Sequence, residues 1–205
     1  MKHLIKSTLT LIGFSLFTNA SNAQNFHVGI KAGATIYNNS GKDISGKFNA
    51  FPFGGAYLGV SGEKMSLIAE GIFTQTRMVA GDNFNQVFNN YIRSGKDQVR
   101  NAEFSFSELS VPVLVGFKAL PFTWFEIGPQ FTKIVSMNDK DEVLNEITNV
   151  HKDSYVSAVI GARVKLPLGL HVTGRYVMGL SNRNNSSVSE RWTTQHFQVG
   201  VGFGL

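Results

Sequence analysis

The 205-residue chain contains no cysteine, and beyond its first 23 residues it has no apolar run long enough for a membrane-spanning helix. Charge is also sparse, at 19 lysines and arginines against 14 acids. Each shortage excludes something. Without cysteine there is no disulfide staple and no lipid-modified cysteine anchor, so stability must come from elsewhere. Without a spanning helix, any entry into a membrane must be made by a closed sheet, the other structure that satisfies every backbone group in lipid. The formal charge of +5 falls to +3 once Lys2 and Lys6 are removed with the first 23 residues. That balance is too mild for nucleic-acid binding, and no basic run supports it.

Those first residues have the order of an export signal. Lys2 and Lys6 supply a positive start, Leu9 to Phe17 a short apolar core, and Ser21-Asn22-Ala23 small residues before a cut. Cleavage is expected between Ala23 and Gln24. The apolar core is shorter than the roughly 20 residues a permanent span requires. Residues 1–23 are therefore read as a signal peptide and residues 24–205 as the mature domain.

The mature chain alternates with a period of two, the pattern of strands with one apolar face. Phe26, Val28, Ile30, Ala32, Ala34 and Ile36 share one face of the first strand, with His27, Gly29, Lys31, Gly33 and Thr35 on the other. The same pattern sets Leu109, Val111, Val113, Val115 and Phe117 against Ser110, Pro112, Leu114, Gly116 and Lys118. It recurs for Val156 to Val164 and for Phe197 to Leu205. Noisier strands are expected at 53–61, 65–77, 122–135 and 170–182. The total is eight.

Connections between these strands alternate in length. Short turns rich in turn formers lie at 61–64, 119–121 and 166–169. Long polar stretches occupy 38–50, 79–101, 136–154 and 183–191. Short periplasmic turns and long external loops are the habit of an up-and-down outer-membrane barrel. A soluble sandwich or lipocalin-like barrel also alternates, but it would have to fit its large apolar row inside. Here the opposite row is small and polar, including Gly200, Gly202 and Gly204. The expected fold is all-β, an eight-stranded antiparallel transmembrane barrel, with Phe26, Phe117, Phe125 and Phe203 as an interfacial girdle at the periplasmic end. An Asn-rich stretch at 84–99 leaves ten strands open.

Four charges fall in the inward phase near the middle of their strands: Glu70, Glu126, Arg163 and Arg175. Eight strands enclose room for side chains and little else, and a buried charge left without its partner costs several kcal/mol. A lumenal network of these four is expected, joined by Lys31, Lys118 and Lys165. A structural plug explains such a network better than a gated ion path does. His196 with Ser187 or Ser189 and Glu190 has no triad spacing, and loop polarity accounts for these residues. Acids at 139, 141, 142, 146 and 153 lack the order of a calcium loop. No catalytic, cofactor or metal site is expected. Pro112 and Pro129 should mark bulges or local loss of pairing.

The segment Gln198-Val199-Gly200-Val201-Gly202-Phe203-Gly204-Leu205 resembles the terminal signal read by the barrel-assembly machinery. Gln198, Gly200 and Phe203 match that pattern, while Leu205 is hydrophobic but not aromatic. More widely, Val28-Gly29-Ile30-Lys31-Ala32-Gly33, Ile68-Ala69-Glu70-Gly71, Leu109-Ser110-Val111-Pro112-Val113-Leu114 and Glu126-Ile127-Gly128-Pro129 carry a second likeness. With Gly174-Arg175-Tyr176 and Gly179-Leu180-Ser181-Asn182, they resemble the PorT-like outer-membrane β-barrel family of Bacteroidetes, similar in barrel size to the OmpA and OmpX type. The resemblance implies a Gram-negative outer membrane, with membrane lipid and the assembly machinery as partners. It does not carry a function across. The expected role is structural or interactive, through four external loops and a protein partner. The alternatives are a narrow porin-like channel for small solutes or ions and an accessory part of a protein secretion system.

Overall fold

A computed structural model describes residues 25–40, 49–79, 92, 103–139, 152–183 and 193–204. Eight strands run in chain order: β1 (Asn25–Ser40), β2 (Asn49–Ser61), β3 (Met65–Val79), β4 (Glu103–Leu120), β5 (Thr123–Asp139), β6 (Ser154–Lys165), β7 (Leu170–Gly179) and β8 (Thr193–Gly204). Each pairs antiparallel with its neighbours, and β1 pairs with β8 from Gly29–Gly204 to Ser40–Thr193. The sheet is a closed up-and-down barrel with no free edge, so every strand has a partner on both sides.

The period-two rows point as their chemistry dictates. Phe26, Ile30, Phe125, Ile127, Ile160 and Val201 are each more than half exposed on the outer surface. Lys31, Glu70, Glu126, Arg163 and Arg175, on the opposite rows, are each at most 5 % exposed. Polar groups inside and apolar groups outside invert the soluble arrangement, which makes hydrocarbon the medium that suits the outer face. The apolar belt on β4 runs from Phe117 to Leu109, rising about 21 Å at roughly 3.4 Å per residue and a tilt of about 40°. Phe26, Phe117, Phe125 and Phe203 ring its short-turn edge, while Phe73, Phe131 and Phe197 lie exposed toward the other.

The strands continue past that belt. β4 has 18 residues, more than the roughly 9–11 that a tilted strand needs to cross. Beyond the belt the outer face turns polar, and Arg77 of β3 meets Glu103 of β4 at 3.1 Å. Several expected boundaries therefore shift. β1 runs on to Ser40, β2 begins at Asn49 and β5 runs to Asp139, all inside stretches expected to be loops, while β4 begins at Glu103, ahead of the expected Leu109. Pairing there no longer requires an apolar outer face, so the alternation that marks a strand is lost. β7 ends at Gly179, short of the expected 182.

The turns at the short-turn end are tight. The Gly62 amide donates to Met65 at 2.9 Å, and the Leu166 amide donates to Leu170 at 2.8 Å across a 3-10 turn at Pro167–Gly169. The turn expected at 119–121 falls at 121–122, because β4 continues to Leu120 through a register shift after Lys118. Phe122 then takes a positive φ of 66°. Neither Pro112 nor Pro129 makes a bulge. The β3–β4 ladder is interrupted between Ala69–Val113 and Ile72–Ser110, beside Pro112. The β4–β5 ladder is interrupted between Pro112–Gln130 and Val115–Ile127, beside Pro129, and register is kept across both gaps. A missing amide removes bonds without displacing the strand.

Residues 84–99, apart from a bridge at Ile92, lie outside the described residues. So do the Ala23–Gln24 junction, most of the acidic stretch at 140–151, and Ser187, Ser189, Glu190 and Leu205.

Candidate functional site: the barrel lumen

Space inside eight strands is set by which side chains are omitted. β8 contributes Gly200, Gly202 and Gly204 to the lumenal row, opposite large side chains from β2 and β7. A Cβ on Gly200 would stand 2.7 Å from the Phe53 ring, and one on Gly202 or Gly204 would overlap His171 or Tyr57. Glycine on one wall therefore makes room for aromatic and imidazole rings from the other.

Arg175 of β7 crosses the middle of the lumen. Its Nη1 and Nη2 donate to Glu70 of β3 at 2.6 and 2.8 Å, and its Nε and Nη2 donate to Glu126 of β5 at 3.1 and 2.6 Å. Such forked pairing uses the planar geometry of guanidinium fully. Lys31 of β1 donates to Glu70 at 3.0 Å and stands 5.6 Å from the Phe53 ring centre. Arg163 Nε of β6 lies 3.0 Å from Glu126 Oε1, poorly angled for a hydrogen bond, and leans on Trp124. Five strands thus contribute three cations and two carboxylates, a net charge of +1 from 3 − 2. The four residues singled out from the sequence occupy this one cluster, with Lys31 beside them. Lys118 and Lys165 do not: Lys118 is exposed at the short-turn mouth, and Lys165 sits 5.4 Å over the Trp124 ring.

An apolar layer follows, built on Leu114, Val159 and Val177, each no more than 1 % exposed. Beyond it lies a second polar cluster centred on Glu108. Glu108 Oε2 accepts from the hydroxyls of Tyr37 at 3.1 Å and Tyr155 at 2.9 Å. Its Oε1 accepts from Arg183 Nη2 at 2.9 Å and from Thr76 at 3.5 Å. Arg183 stacks 4.3 Å over the Tyr155 ring and donates to Thr194, while His196 lies against Tyr37 with ring centres 4.5 Å apart. Burial works against the Arg183 charge, but Tyr155, Glu108 and Tyr37 outweigh it and hold the pKa above the ordinary arginine value.

The Glu108 cluster is absent from the sequence reading. Glu108 keeps the inward phase of Ser110, and continuing that row by two residues reaches it. Phe104 and Phe106 hide the signal, because they are large, apolar and fully inward, against the polar-lumen rule. Arg183 lies beyond the end of β7, where no strand periodicity applies. Of the terminal assembly residues, Gln198 and Gly200 face inward and Phe203 outward on β8.

Among curated proteins, none matches the chain. Among solved structures, Ail of Yersinia pestis, in complex with the heparin analogue sucrose octasulfate, is 9% identical, with 88% of this chain and 99% of that one covered and a TM-score of 0.47. Neisserial surface protein A is 10% identical over 89% of this chain and 99% of its own, with a TM-score of 0.48. OprG of Pseudomonas aeruginosa is 9% identical over 89% and 96%, also with a TM-score of 0.48. Residues 19–185 match the outer membrane protein beta-barrel domain family, and the chain, a closed eight-stranded barrel with an apolar exterior, belongs to it.

Proposed function

We propose that this outer-membrane barrel is a closed scaffold, whose lumen is plugged by its own side chains and whose specific work is done by four external loops presented to a protein partner. The observation that carries this reading is the cross-lumen network of Arg175, Glu70, Glu126, Lys31 and Arg163, tied to five different strands. Opening a path would separate buried ion pairs at a cost of several kcal/mol each. With the lumen occupied, the long-loop end is the surface presented to a protein partner. Residues 1–23 act in this reading as the cleaved leader, and Gln198, Gly200, Phe203 and Leu205 as the assembly signal. In this reading the chain groups with the PorT-like barrels, on the sequence likeness described above, and has a non-catalytic role.

Planar-bilayer recording of the refolded mature chain tests closure. A flat baseline is expected, and steady single-channel steps would replace the scaffold with a narrow channel. Crosslinking in intact outer membranes tests the loops. A partner lost when a loop is exchanged for a two-residue turn supports display, whereas a barrel recovered alone from every crosslinking condition refutes it.

A further inference from the structure

The short-turn mouth holds two adjoining cavities of about 370 and 390 Å³ that share Asn25, Ser61 and Lys165 on their walls. Strand register brings their chemistry together. Lys118 pairs with Trp124, Trp124 with Arg163, and Lys165, two residues on from Arg163, pairs with His171. On the far wall, the His27 and His171 rings flank Tyr57, with centres 6.2 and 5.1 Å from it. Arg163 is already engaged by Glu126, which leaves Lys118 and Lys165 as cations with no ion-pair partner among the described residues, where Glu63 is the one wall carboxylate. The buried Nε2 of His27 has no hydrogen-bond partner among the described residues. Arg163 apart, this basic chamber shares no member of the mid-lumen network. Its outer rim is apolar, with Phe26, Phe122 and Leu168 each at least 67 % exposed, at the level where a membrane's polar headgroups begin.

We propose that this mouth is a binding site for a phosphate group, held by Lys118 and Lys165 beside Trp124, with His27 and His171 on the opposite wall. Lysine ammonium groups act as point charges that suit a phosphate without demanding one orientation. The cavities exceed a bare phosphate and leave room for a ligand that carries more than that group. A soluble phosphorylated compound and the headgroup of an anionic phospholipid share this chemistry. The site is independent of whether the lumen conducts.

Trp124 and Trp192 are the two tryptophans, so a Trp192→Phe background leaves Trp124 as the reporter. Refolded protein in neutral detergent is titrated with pyrophosphate, and separately reconstituted in nanodiscs of phosphatidylcholine with and without phosphatidylglycerol. Lys118→Gln and Lys165→Gln are each expected to weaken a saturable response about tenfold, while Lys133→Gln on the outer face leaves it unchanged. A response to pyrophosphate assigns a soluble ligand. A response confined to phosphatidylglycerol discs assigns the lipid headgroup. No saturable response in either arm, or one that survives loss of both lysines, overturns the proposal. Gel mobility before and after boiling confirms that each variant is folded. Should the double variant fail that check, the single Lys118→Gln variant, altered at an exposed side chain, supports the same comparison.

Discussion

Substituting Arg175 by methionine removes the cation that bridges both mid-lumen carboxylates while keeping most of the side-chain length. Four donor contacts are lost, at 2.6 and 2.8 Å to Glu70 and at 2.6 and 3.1 Å to Glu126. The network then holds Lys31 on Glu70 and Arg163 beside Glu126, so its net charge moves from 3 − 2 = +1 to 2 − 2 = 0. Each carboxylate keeps one cation, which places the cost at the lower end of the range for breaking a buried pair, about 3 kcal/mol. With a urea slope of about 2 kcal/mol per molar, the unfolding midpoint should fall by about 1.5 M. Folded and unfolded fractions are read in detergent from gel mobility of unboiled samples across a urea series. Arg175→Lys keeps the charge but loses the fork, and should fall between the two. A midpoint within about 0.3 M of the parent for Arg175→Met would refute the view that this network contributes to stability.

Four further substitutions probe other levels of the structure. Glu108→Gln leaves Arg183 buried without its carboxylate and should cost about 3 kcal/mol, read from the same urea series; an unchanged midpoint would show that Tyr155 and Thr194 suffice for Arg183. Gly202→Val places a branched side chain where the His171 ring lies and should destabilise by about 1–3 kcal/mol, whereas Gly174→Ala, whose Cβ meets nothing within 4 Å, should be close to neutral. Thermal midpoints measured side by side separate these two glycines. Ile160→Arg puts a charge on the outer face and should cost about 2–4 kcal/mol in a bilayer if it sits near the midplane. Folding yield into vesicles checks this, and equal yields for Ile160→Arg and the parent would contradict a lipid-facing exterior.

The period of two was readable residue by residue, and with it the facing of Phe26 to Ile36, Leu109 to Phe117 and Val156 to Val164. Side-chain direction in a strand follows from backbone geometry alone, so an apolar row against a polar one needs no knowledge of partners. Alternating short and long connections then fixed the up-and-down order. Strand ends were not readable. Above the lipid belt the outer face meets water, and residues such as Ser105, Ser107 and Ser136 pair without announcing a strand.

Which charges meet was likewise a matter of register. Glu70, Glu126, Arg163 and Arg175 show themselves as inward charges, but only closure through the β1–β8 ladder brings them and Lys31 to one level. Glu108 required more still, since its partners Tyr37, Thr76, Tyr155 and Arg183 come from three other strands and from the segment beyond β7. The sequence by itself determined the face on which each strand residue lies, because that depends on local geometry. Only the tertiary structure decided which of them touch, because shear and closure set contacts between residues as distant in sequence as Thr35 and Gln198, 163 positions apart.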